Sequence, residues 1–282
     1  MMLGGNYFIS VLENYMPPSE GQPEVNRCLD QAAAINPQLA NLALYRAAAT
    51  FFFDRNWAGA ERAWHTAEAA PDREIQPEQL LNHALARWAL RDVRQALLLI
   101  RRARVIDPLS QIFVLHEASY LLYAGQPELA AARCVSVIDT HPDEWAAHFM
   151  LAEVRRTQGQ FAEAIAARRK AHALRDDSDD ELDAVLSSAV GQEGYLRIER
   201  TAVERLELRT LERRARKAYA SPIDFARAFA QLGENDRAFE HLDQALAEGS
   251  PGLVFLNVDR AWETIRSDPR FAAAVKRAGL PS

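Results

Sequence analysis

Along most of the chain, apolar residues return at three- and four-residue intervals in short blocks closed by glycine, proline or an Asx residue. That is the signature of short amphipathic helices rather than strands. The pattern is cleanest over residues 111–176, where one helix-turn-helix unit is written twice, as SQIFVLHEASYLLYAGQPELAAARCVSVIDTHP and then DEWAAHFMLAEVRRTQGQFAEAIAARRKAHALRDD. Aligned, Ala118 falls on Ala152, Gly125 on Gly159, Ala130 on Ala164 and Val137 on Ala171, each pair 34 residues apart. Two antiparallel helices cannot bury their apolar faces alone, so each pair stacks on the next, with a small residue wherever two axes come close. Gly125 and Gly159 end the first helix of each pair, where a positive φ is favoured.

The rest of the chain repeats this unit less strictly. Residues 5–15 and 23–34 form a first pair around the turn MPPSEGQ, 39–53 and 57–69 a second, and 77–90 and 93–105 a third that ends in IDP. Ala60 and Ala96 are 36 residues apart, so the register shifts at the loop 70–76. After the clean repeats, RDDSDDELD puts carboxylates at a helix start, where the helix dipole favours them. It lacks the turn glycine and bidentate ligand that a calcium loop needs. Residues 179–217 are degenerate, with a long second helix offering Leu196, Val203, Leu206 and Leu211 to the core. SPIDFARAFAQLG and ENDRAFEHLDQALAEG return to phase through Ala226, Gly233, Ala238 and Ala245. In the remainder, Ser267 caps a short helix begun by Pro269. Phe255, Trp262, Ile265 and Phe271 are expected to cover the open apolar end of the stack.

These readings give an all-α fold, a solenoid of about seven helical hairpins with a C-terminal capping helix. Residues 1–250 form the repeat array and 251–282 a strap with capping helices. Composition adds limits. A formal net charge of −6 argues against a field that gathers nucleic acid, and only Lys170, Lys217 and Lys276 of the 33 basic residues are lysines. The arginines of 197–216 alternate with Glu199, Glu204, Glu207 and Glu212 at helical neighbour spacing, as on a solvated face. Cys28 and Cys134 have no metal-ligand spacing and read as buried small hydrophobes of a reducing compartment. No stretch is long and apolar enough to span a bilayer, and the expected location is the cytoplasm.

The period, with its small residues and turn glycines, resembles the tetratricopeptide repeat, which implies a right-handed superhelix. More narrowly, DRNWAGAERAWHTAEAA, SPIDFARAFAQLGENDRAFEHLDQAL and LVFLNVDRAWETIRSDPRFAAAVKRAGLP resemble one lineage of such arrays. That lineage forms the C-terminal half of bacterial signalling proteins, among them transcriptional regulators with an OmpR-type winged helix in front. The resemblance implies a regulatory module whose chemistry or DNA binding resides in another domain, and the array here begins within the first residues.

In a stack of this kind the first helices line the concave face. By phase, Tyr45, Phe52, Leu81, Leu85, Trp88, Leu115, Leu122, Phe149 and Glu153 lie there, suited to an extended or helical peptide, a protein partner or a second copy of the chain. Tetratricopeptide arrays that hold chaperone C-termini use a Lys, Asn and Arg clamp. This chain offers Tyr45, Ala49, Leu81 and Leu85 instead, so that activity is not expected. No zinc-protease, P-loop, dinucleotide or nucleophile-elbow pattern occurs, and no enzyme activity, cofactor or metal is expected. The alternative is a sensor whose small-molecule or peptide ligand changes the curvature of the array.

Overall fold

In the computed structural model, residues 2–37, 39–67, 75–175 and 179–280 are described, and among them every regular element is helical. Packing divides the chain into two compact units, Met1–Asp92 with Leu211–Ser282, and Val93–Thr210. The first opens with α1 (Met2–Leu12), α2 (Pro18–Ile35), α3 (Ala40–Phe52), α4 (Trp57–Ala67) and α5 (Pro77–Ala89). The second holds α6 (Val93–Ile106), α7 (Gln111–Tyr123), α8 (Pro127–Thr140), α9 (Trp145–Thr157), α10 (Phe161–Ala173), α11 (Asp180–Ser188) and α12 (Gly191–Ala202). A π-helical stretch, Val203–Leu208, continues α12 into α13 (Arg209–Ala215), within which the units divide. The first unit resumes with α14 (Pro222–Leu232), α15 (Asn235–Glu248), the 3-10 turns Pro251–Phe255 and Arg260–Trp262, and α16 (Pro269–Arg277). This is a division by packing, whereas the one expected at residue 250 is a division by repeat character.

In the second unit α7 pairs with α8, α9 with α10 and α11 with α12, and α8 also packs on α9. Ala118, Ala130, Ala152 and Ala164 are all 0% exposed, as their places at close helix contacts demand. The core runs on into the degenerate part, where Ala164 and Ile165 pack with Leu182, Leu186, Tyr195 and Ile198. Leu196, expected in that core, is exposed. The buried stripe of α12 is Tyr195, Ile198 and Ala202, and Leu196 stands one residue, about 100°, off it.

The turn between helices keeps one backbone conformation even where the sequence changes. Gly125 and Gly159 have φ of +71° and +73°. Arg91, 34 residues before Gly125, takes the same left-handed region at +65°, and Arg55 takes it at +53°. A side chain there is strained by its Cβ. Arg91→Gly is therefore expected to stabilise the fold by about 0.5 to 1 kcal/mol, net of glycine's greater chain entropy, whereas Arg91→Ala gives no such gain. Urea denaturation of the two variants measures the difference, and equal midpoints would remove the strain argument.

In the first unit α1 pairs with α2, α3 with α4 and α14 with α15. The start of α2 is a correction: it begins at Pro18, inside the expected turn, because proline is tolerated in a first turn. Pro23 is carried within the helix, which forgoes one backbone hydrogen bond. The cap of α16 is also corrected, since Asp268 rather than Ser267 immediately precedes Pro269 and accepts from the Arg270 amide at 2.9 Å. Trp262, Ile265 and Phe271 are buried, with the Arg260–Trp262 turn on α14 and α16 on α15. Phe255 does something else: its ring lies 6.2 Å from Phe52 and 5.4 Å from Trp88, between centroids. The two ends of the chain thus share a core. Asn14 Nδ2 donates to Asp224 Oδ1 at 3.0 Å, and Trp57 Nε1 donates to the Gly279 carbonyl at 2.8 Å.

Candidate functional site

The side chains expected on a partner-binding face fall in both units. In the first, Tyr45 and Phe52 come from α3, and Leu81, Leu85 and Trp88 from α5. Phe52 is 0% exposed, set edge-on to Phe8 at 6.1 Å. Tyr45 meets Phe8 edge-on at 6.3 Å, and its hydroxyl lies where a Cβ on Gly5 would be 2.9 Å away. Burial raises the Tyr45 phenol above its ordinary range. Leu81, Leu85 and Trp88 are half-buried. The turn Pro251–Phe255 packs on α1, α3 and α5, so a segment of the chain itself covers part of the face that α3 and α5 would offer.

In the second unit Leu115, Leu122 and Phe149 are half-buried. Leu115 packs at the edge of the Val114, Val137 and Ala147 cluster. The Arg168 guanidinium stands 4.4 Å from the Phe149 ring centroid, a cation–π contact. Beside them, lined also by His172, Leu182 and Ile198, is a cavity of about 30 Å³, room for about one water molecule. Glu153 is buried, and Tyr195 Oη donates to it at 2.7 Å while Arg156 Nε approaches at 3.4 Å. Phe52 and Glu153 thus serve as packing and hydrogen-bonding groups in this conformation.

Sequence reasoning missed Glu117. It is 0% exposed on α7, and three arginines converge on its carboxylate: Arg101 Nε at 2.8 Å, Arg133 Nε at 3.1 Å, and Arg104. Burial would raise this carboxyl, but the hydrogen bond from Arg101 and the charges of Arg133 and Arg104 outweigh it and hold it below the usual range. A signal was present, since the position 34 residues on is Leu151 and Glu117 is the one acidic residue between Gln111 and Tyr123.

Other groups singled out by sequence have structural places. Asp179 caps α11, accepting from Glu181 and Leu182 amides at 3.1 Å, and pairs with Arg205; residues 176–178 of that acidic run lie outside the described residues. Cys28 and Cys134 are free and buried, and burial pushes the Cys134 thiol up to about 12. His148 Nε2 lies 3.0 Å from the Pro142 carbonyl.

No family model and no curated protein matches the sequence. Among solved structures, the chain is similar to one described as "Crystal structure of PilW, widely conserved type IV pilus biogenesis factor", at 14% identity and a TM-score of 0.49, over 95% of this chain and 100% of that one. The likeness is too distant to bear on the role of this chain.

Proposed function

We propose that this chain is a non-catalytic interaction module, working in the cytoplasm, that binds a protein or peptide through side chains of its first helices. The observation that supports it is the half-buried apolar set Leu115, Leu122 and Phe149, held on hairpins whose alanine contacts fix their spacing. Side chains of this kind are too apolar for a solvated face and too exposed for a core. The finer reading, the regulatory part of a bacterial signalling protein, draws its support from the sequence resemblance, of which the closing SDPRF and GLP residues are the most specific piece.

Photo-cross-linking tests the proposal. Benzoylphenylalanine at Leu115 or Leu122 is expected to capture a discrete partner, and at the exposed Glu240 to capture none. Equal capture from all three positions would remove the first-helix face.

A further inference from the structure

In the first unit, the side chains of α3 expected to meet a partner already have an occupant, and that occupant is a helix that does not stand by itself. α1 reads MLGGNYFISVL, with two adjacent glycines, no acid in its first turn and no base in its last. A helix this short and of this composition does not hold in water alone. It is helical through what it packs on. Gly4 and Gly5 are buried, and an added Cβ would stand 2.8 Å from Cys28 Cβ at the first and 2.9 Å from the Tyr45 hydroxyl at the second. Phe8 meets the rings of Tyr45 at 6.3 Å, Phe52 at 6.1 Å and Phe53 at 5.3 Å, and Val11 is buried beyond it. Gly4, Phe8 and Val11 are spaced by four and three residues, on one side of the helix.

Just past α1, a few polar contacts tie it to the distant part of the chain. Asn14 has a φ of +62°; its Nδ2 donates to Asp224 Oδ1 on α14 at 3.0 Å, and its carbonyl accepts from Arg214 on α13. The Arg214 guanidinium also stands 4.8 Å from the centre of the Tyr15 ring, which is 64% exposed. A helix of low propensity, seated on aromatic rings and fastened at one end by part-exposed polar groups, is the kind of element that opens before its neighbours. We propose that α1 is a displaceable, autoinhibitory cover over Tyr45 and Phe52, and that a partner helix of α1's own pattern takes its place. That pattern is a small residue, an aromatic one four positions on and an aliphatic one three after that. The seated α1 defines it, because the close approach at Gly4 and Gly5 excludes larger side chains and Phe8 completes the ring cluster. The proposal rests on the reading that first helices bind protein, and carries it to the first unit.

Hydrogen exchange of the full chain, read by mass spectrometry, tests whether the cover opens. The α1 amides are expected to exchange at least about tenfold faster than those of α3 and α14. Asp224→Ala, outside α1, should speed them about tenfold further while α3, α9 and α10 keep their protection. Exchange of α1 only in step with α3, or indifference to Asp224→Ala, makes α1 fixed core and overturns the proposal. A labelled peptide with the sequence of residues 2–15 tests the seat. It should bind the full chain carrying Phe8→Ala at least about tenfold more tightly than the parent, and the same peptide with its own Phe8→Ala should bind neither. Equal binding to both chains, or binding without the peptide's phenylalanine, overturns the aromatic seat. A dimer of the parent that Phe8→Ala dissociates overturns the choice of a separate partner. Cross-linking at Leu115 and Leu122 reports on the second unit, so the cover and that face can fail independently.

Discussion

Ala130→Arg and Ala164→Arg should each destabilise the fold by about 3 kcal/mol or more, through overpacking at a close helix contact combined with an added buried charge. Both alanines are 0% exposed. Ala130 is on α8, which packs against both α7 and α9; Ala164 is on α10, against α9, α11 and α12. An arginine cannot extend to solvent there without moving a neighbouring helix. The same change two residues further on gives the control. Ala132 and Ala166 are exposed on the same helices, so Ala132→Arg and Ala166→Arg should shift stability by less than about 0.5 kcal/mol. Chemical denaturation of the four variants compares them, and indistinguishable midpoints across the set would mean the helices do not meet at those alanines.

Glu117→Gln comes next in size. Removing one partner of a buried ion cluster commonly costs about 3 to 5 kcal/mol, because the remaining charge is left uncompensated. Here the arginine side chains keep between 28% and 49% of their surface, so water can take over part of the lost interaction. The expected loss is therefore about 2 to 3 kcal/mol. It carries a pH signature. The folded-state carboxyl lies below its ordinary range, so its contribution is complete above the unfolded value of about 4.3 and fades as pH falls through the lower folded value. The parent and the Gln variant should differ by a constant amount from pH 6 to 8 and converge in acid. A difference that persists undiminished at pH 3 would assign the effect to shape rather than charge.

How far the sequence could be read depends on how local each decision is. The pairs α7–α8 and α9–α10 were legible because spacing, small residues and turn glycines lie within one repeat and reinforce one another. The turn itself was legible only where glycine marks it. At Arg55 and Arg91 the chain keeps the left-handed conformation because the helices on both sides impose it. Of the expected partner face, the sequence placed Leu115, Leu122 and Phe149 on first helices and half out of the core. It could not place Phe255 against Phe52 and Trp88, since that contact joins residues far apart in the chain.

The order of helices, the alanine positions that must be buried and the all-helical class were determined by the sequence alone, through periodicities that span a few turns. The tertiary structure alone decided that the ends of the chain share a core, and that three arginines from α6 and α8 spend their charge on a single glutamate. Helix periodicity fixes which side of a rod is apolar, but not which distant rod meets it; that choice depends on shape and charge complementarity between surfaces that exist only after the helices have formed.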